Sequence, residues 1–85
     1  MIDYELTEHA KESLRKRSVI RLEWLERVLA QPAKVEPDRV DPLLQHRLGP
    51  VDEFGGRVLR VVVNPSHTPV SVITVYFDRR MRGKL

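Results

Sequence analysis

Four side chains stand where they could move protons or carry charge at a reacting centre: His9, His46, Arg60 and Tyr76. An imidazole titrates near neutrality, so His9 and His46 are candidate general acids or bases. His9 falls in the first turn of an expected helix, beside its apolar stripe of Ala10 and Leu14, where a partly buried structural histidine fits equally well. His46 alternates with Leu44 and Leu48, which puts it on a sheet face and leaves chemical and packing roles open. His67, between Pro65 and Pro69, reads as an exposed turn residue. Arg60 stands in the apolar run RVLRVVV with Val58 and Val62 on its own strand face, an unusual place for a charge that serves packing alone. If this strand pairs with VSVITVYF as a hairpin, Tyr76 shares that face with Arg60, and together they can bind a phosphate; an arginine stacked on an aromatic ring for structural reasons is the competing reading.

A second chemical feature is the chain end, DRRMRGKL. Residues 78–85 carry Arg79, Arg80, Arg82 and Lys84 against Asp78, a balance of 4 − 1 = +3, which equals the net charge of the whole chain. A basic cluster of this kind suits phosphate backbones or an acidic protein partner, and it also serves as a solvated tail. Other chemistries lack their residues. Without cysteine there is no disulfide framework, thiolate metal site or cysteine nucleophile. The three histidines have no metal-ligand spacing, no glycine-rich phosphate loop precedes a helix, and no Gly-x-Ser-x-Gly occurs, so no metal and no cofactor is expected. No apolar run approaches the roughly 20 residues of a membrane span, and MIDYELTEH lacks the order of a signal peptide, so a cytoplasmic protein with no membrane partner is expected.

These residues must be held by a single domain, 1–85, which at this size buries only roughly 60% of its unfolded-chain surface. Thr7 followed by EHAKESLRKR predicts an N-capped helix over 8–17. Leu22, Leu25, Val28 and Leu29 share one stripe of a second helix from Arg21 to Ala30, ended by Pro32, with Trp24 flanking the core rather than offering a stacking platform. From Pro32 the period changes. A short strand around Val35, an alternating run between Pro42 and Pro50, the turn DEFGG, and the strands RVLRVVV and VSVITVYF follow. The expectation is an α+β fold with two N-terminal helices on one face of a small antiparallel sheet. Alternation places Leu59, Val61, Val63, Ile73, Val75 and Phe77 toward the helices. Val58, Arg60, Val62, Val72, Thr74 and Tyr76 take the open face.

The segments LTEHAKESLRKR, EWLERVLAQP, HRLGPVDEFGGRVLRVVVNP and VITVYFDRRMRGKL resemble, in order and over almost the whole chain, the bacterial family known as domain of unknown function 4258. That family is similar to the RelE/ParE and BrnT-like toxins of type II toxin–antitoxin systems. The resemblance implies a RelE/barnase-like toxin fold and a metal-independent endoribonuclease that cuts RNA, on or off the ribosome, by attack of a ribose 2′-hydroxyl. His9, Arg60, Tyr76 and His46 are then the catalytic candidates. Arg79, Arg80, Arg82 and Lys84 are the RNA-binding ones, with the tail continuing the last strand into a phosphate-binding edge. A cognate acidic antitoxin would cover the basic face. Two alternatives accompany this reading: a ParE-type toxin that inhibits gyrase without catalysis, and a non-toxic binding or regulatory module. Arg21 departs from the capping or acidic residue expected at the start of the second helix.

Overall fold

The computed structural model describes residues 2–85. In chain order its elements are strand β1 (Tyr4–Leu6), helices α1 (Glu8–Lys16) and α2 (Leu22–Ala30), and strands β2 (Lys34–Pro37), β3 (Gln45–Val51), β4 (Arg57–Asn64) and β5 (Val70–Phe77). Short 3-10 turns at Asp52–Phe54 and Arg79–Met81 follow β3 and β5. The five strands form one sheet in the order β1-β5-β4-β3-β2. The fold is therefore α+β, with both helices ahead of the four strands that carry most of the sheet.

The sheet is mixed rather than wholly antiparallel, because β1 pairs in parallel with β5 through Tyr4↔Val70, Glu5↔Ser71 and Leu6↔Val72. Three residues are too few to show a period, which is why the sequence pattern missed β1. Its position determines where α1 begins. The Thr7 backbone N–H donates to Val72 O, and its hydroxyl donates to Ile73 O while accepting from the Ala10 N–H at 3.1 Å. One threonine thus both caps α1 and ties it to β5. Arg21 holds the equivalent place before α2 without a side-chain cap, consistent with its departure from the usual residue types.

α2 lays Trp24, Leu25, Val28 and Leu29 on the sheet, where they meet Leu59, Val61, Val63 and Val75 in the core. Leu22, expected in that stripe, is instead half exposed at 50%, while Trp24 and Leu25 in the same turn are buried. Gly49 allows the close approach: a Cβ there would lie 3.0 Å from Val28 Cγ2. A second departure follows from a bulge in β5. The β4–β5 register runs Val62↔Thr74 and then Val63↔Val72, so Ile73 has no partner. The bulge reverses the alternation before it, placing Val72 in the core and leaving Ile73 half-buried, the opposite of the expected assignment. Arg60↔Tyr76 lies beyond the bulge and keeps its register. Among the described residues no helix is long and apolar enough to cross a membrane.

Candidate functional site

The open face of the sheet collects charge from four strands. Arg60 on β4 is the cross-strand partner of Tyr76 on β5 and of Leu48 on β3, while Glu36 on β2 pairs with His46, which pairs in turn with Val62. In an antiparallel ladder these positions point to one side, so Glu36, His46, Arg60 and Tyr76 converge. They line a cleft of about 450 Å³ together with Asp38 and Arg80.

Arg60 is the hub of this group and is only 8% exposed. Its Nε and Nη2 both donate to Asp78 Oδ2, at 3.0 and 2.8 Å, and its Nη1 donates to Glu36 Oε1 at 3.0 Å. The same Nη1 lies 2.8 Å from His46 Nδ1, and His46 Nε2 lies 2.7 Å from Asp38 Oδ1. A guanidinium can only donate, so His46 Nδ1 must accept; its proton sits on Nε2 and is donated to Asp38. Both ring nitrogens are thus engaged, and taking a proton at Nδ1 requires the contact with Arg60 to break.

Burial alone works against a charged Arg60, and the hydrogen bonds to Asp78 and Glu36 outweigh it, leaving the guanidinium above its ordinary value. Asp78 balances in the same way: burial raises its carboxyl, but Arg60 and the Arg80 backbone N–H hold it below the usual range. Asp38 is drawn down to about 2, first by the Asp41 backbone N–H and then by His46 and the Val40 N–H. Arg60 therefore carries a charge that two carboxylates already compensate.

The tail does not extend β5. Asp78 caps a 3-10 turn by accepting the Arg80 N–H at 3.0 Å on Oδ1, while Oδ2 stays on Arg60. The turn sends the arginines to different places, correcting the expectation of one continuous basic edge. Arg80 lines the sheet-face cleft, whereas Arg79 and Arg82 line another, of about 640 Å³, at the end of the sheet. Lys16 and Arg17 from the end of α1, and Arg57 from the start of β4, complete the cationic lining of this end cleft. Among the described residues no carboxylate forms an ion pair with Arg17, Arg57, Arg79 or Arg82. Lys16 lies only at the limit of one, 3.9 Å from Glu12. The one acid in the lining, Asp78, is committed to Arg60 and Arg80.

A family model described as domain of unknown function (DUF4258) matches residues 6–77. The chain belongs to the DUF4258 family. The match ends at the last residue of β5, so the DUF4258 segment holds His46, Arg60 and Tyr76 while Asp78 and the tail arginines lie beyond it. Comparison with curated proteins and with solved structures gave no match.

Within this DUF4258 chain the four catalytic candidates separate. His46, Arg60 and Tyr76 share one cleft; His9 lies exposed on the first turn of α1 and lines none of the clefts described. Of the RNA-binding candidates, Lys84 is exposed and lines neither the sheet-face nor the end cleft. Sequence reasoning missed Glu36, Asp38 and Asp78 as partners of Arg60 and His46, and Lys16, Arg17 and Arg57 as neighbours of the tail. One signal was available: a mid-strand arginine needs a buried carboxylate, and Asp78 directly follows the paired strand. Among the described residues no group of His, Asp and Glu is placed to hold a metal ion.

Proposed function

We propose that the protein is the toxin of a type II toxin–antitoxin pair, an RNA-binding, metal-independent endoribonuclease. The observation that carries this reading is the convergence of Tyr76, Arg80, Arg60 and His46 in one cleft, with further unpaired arginines a short turn away. The chemistry is transesterification: the ribose 2′-hydroxyl gives its proton to a base, His46 once its Nδ1 is freed or water, as its oxygen attacks phosphorus, a 2′,3′-cyclic phosphate forms, and the P–O5′ bond breaks as the 5′-oxygen takes a proton. Arg80 supplies charge at the phosphorane, and the Tyr76 hydroxyl, which has no hydrogen-bond partner among the described residues, orients the phosphate or protonates the leaving oxygen. Arg60 acts as a positioning residue, and His46 exchanges a proton only once Arg60 Nη1 has moved off Nδ1. The cognate antitoxin presents an acidic segment to the cations of the tail.

A second reading, RNA binding without cleavage, is favoured by the closed hydrogen bonding of His46 and Arg60. Incubating the protein with RNA in excess EDTA separates the two. Cleavage leaving 2′,3′-cyclic phosphate, abolished by a single 2′-deoxyribose 5′ to the cut and reduced roughly 10²-fold by Tyr76→Phe at unchanged melting temperature, is the result expected of the enzyme. Retained binding with no cut in any RNA tested is the result expected of the binding module.

A further inference from the structure

The end cleft has a composition that the cleavage chemistry does not use. Its cations come from three separate parts of the chain, the end of α1, the start of β4 and the C-terminal turn, so the fold itself brings them together. Converging like charges repel, and among the described residues no free carboxylate in the lining offsets them; a ligand bearing several negative charges would. Two of the arginines are held in place beforehand. The Arg57 guanidinium lies 4.5 Å over the Phe54 ring, and Arg82 Nη2 donates to Gly55 O at 2.9 Å. Pre-positioned guanidinium groups suit phosphate oxygens, which accept paired N–H donors.

The same cleft has apolar lining in Val19 and the half-buried Phe77. Val19 is 46% exposed, an uncovered apolar side chain next to Arg17. A bare anion makes no use of that lining. A flat heterocycle carrying phosphates uses both, and about 640 Å³ falls within the range of small-molecule sites.

We propose that the end cleft is a nucleotide-binding site, in which Arg17, Arg57, Arg79, Arg82 and Lys16 hold the phosphates and the base rests on Val19 and the exposed part of Phe77. The nucleotide is either free in solution or the phosphorylated end of an RNA chain, two sources with one chemistry. The site shares with the proposed function the premise that this end of the molecule meets phosphate, and it requires neither cleavage nor a toxin role.

The test is calorimetric titration of the full chain with ATP, AMP, adenosine, inorganic triphosphate, and a hexauridylate with and without a 5′-phosphate. Trp24, the only tryptophan and 6.3 Å from the Phe77 ring, gives a parallel fluorescence signal. Saturable binding of ATP, or of the 5′-phosphorylated hexamer, about 10-fold or more tighter than adenosine, inorganic triphosphate and the 5′-hydroxyl hexamer is the expected result. Whichever of the two binds more tightly identifies the source. Arg57→Gln/Arg79→Gln should weaken that ligand at least about 10-fold, as should Val19→Glu, which brings a carboxylate to the cleft from an exposed position; Lys11→Gln, on the exposed side of α1, should not. Triphosphate binding as tightly as ATP, an unchanged affinity in both cleft variants, or no saturable binding by any phosphorylated ligand would overturn the site. A protein that binds ATP here but cuts no RNA keeps the site and loses the enzymatic reading; one that cuts RNA but binds no nucleotide does the reverse.

Discussion

The sheet-face cleft and the end cleft share a border, Asp78 and the turn it caps, yet treat arginine in opposite ways. On the sheet face Arg60 is buried and its charge is matched by Asp78 and Glu36. At the end cleft Arg17, Arg57, Arg79 and Arg82 line open space, and among the described residues no carboxylate forms an ion pair with them. The difference follows from solvation. A guanidinium withdrawn from water must have its charge compensated within the fold, whereas one at a cleft mouth is compensated by water until a ligand replaces it. The Arg60 charge is consequently structural, which leaves the exposed Arg80 as the sheet-face cation open to phosphate, and charge at the end cleft is available for binding.

The largest effect expected from this contrast is on stability. Arg60→Ala leaves Asp78, with a side chain only 4% exposed, without its main partner, and should cost about 3–5 kcal/mol in urea unfolding. A loss below about 1 kcal/mol would mean that Arg60 is not the hub it appears in the hydrogen-bond network. Neutralising the end cleft should act on binding instead. Arg57→Gln/Arg79→Gln should keep the unfolding free energy within about 0.5 kcal/mol per site while weakening single-stranded RNA roughly 10-fold. The slope of log affinity against log salt should become shallower by about 1.4, roughly 0.7 for each lost phosphate contact. An unchanged slope would break the assignment of these cations to phosphate.

Acid separates the regions more gently. Asp38, Glu36 and Asp78 all have depressed folded-state values, so each contributes stability that is full above its unfolded-state value near 4 and lost as pH falls through the folded one, about 2 for Asp38. Unfolding free energy should decline between about pH 4 and pH 2, and Asp38→Asn should flatten part of that decline. The end-cleft double variant should leave the profile in place.

Much of this arrangement was legible in the sequence for local reasons. The capping Thr7, the stripe of Leu25, Val28 and Leu29, and the alternation in β4 are short-range patterns, and parity with a hairpin pairing placed Arg60 and Tyr76 on one face. What was not legible depends on long-range pairing. β1 exists because β5 offers it an edge, and the bulge at Ile73 changes which side Val72 faces without any change in hydropathy. Glu36 and Asp78 reach Arg60 from positions 24 and 18 residues away, distances over which sequence spacing carries no geometric information. The tail read as one basic stretch, but Asp78 turns it so that consecutive residues Arg79 and Arg80 line different clefts.

The division between the two clefts can be observed directly through the arginine Nε–H resonances of the isotopically labelled protein during titration with 5′-phosphorylated hexauridylate. Arg60 Nε donates to Asp78, and that bond is part of the fold rather than of the binding site. The account predicts saturable shifts for Arg57, Arg79 and Arg82 with the Arg60 Nε–H signal essentially unmoved. A saturable shift of Arg60 with Arg57, Arg79 and Arg82 unaffected would contradict it, making Arg60 part of the binding site rather than of the fold and leaving the end cleft as solvated surface.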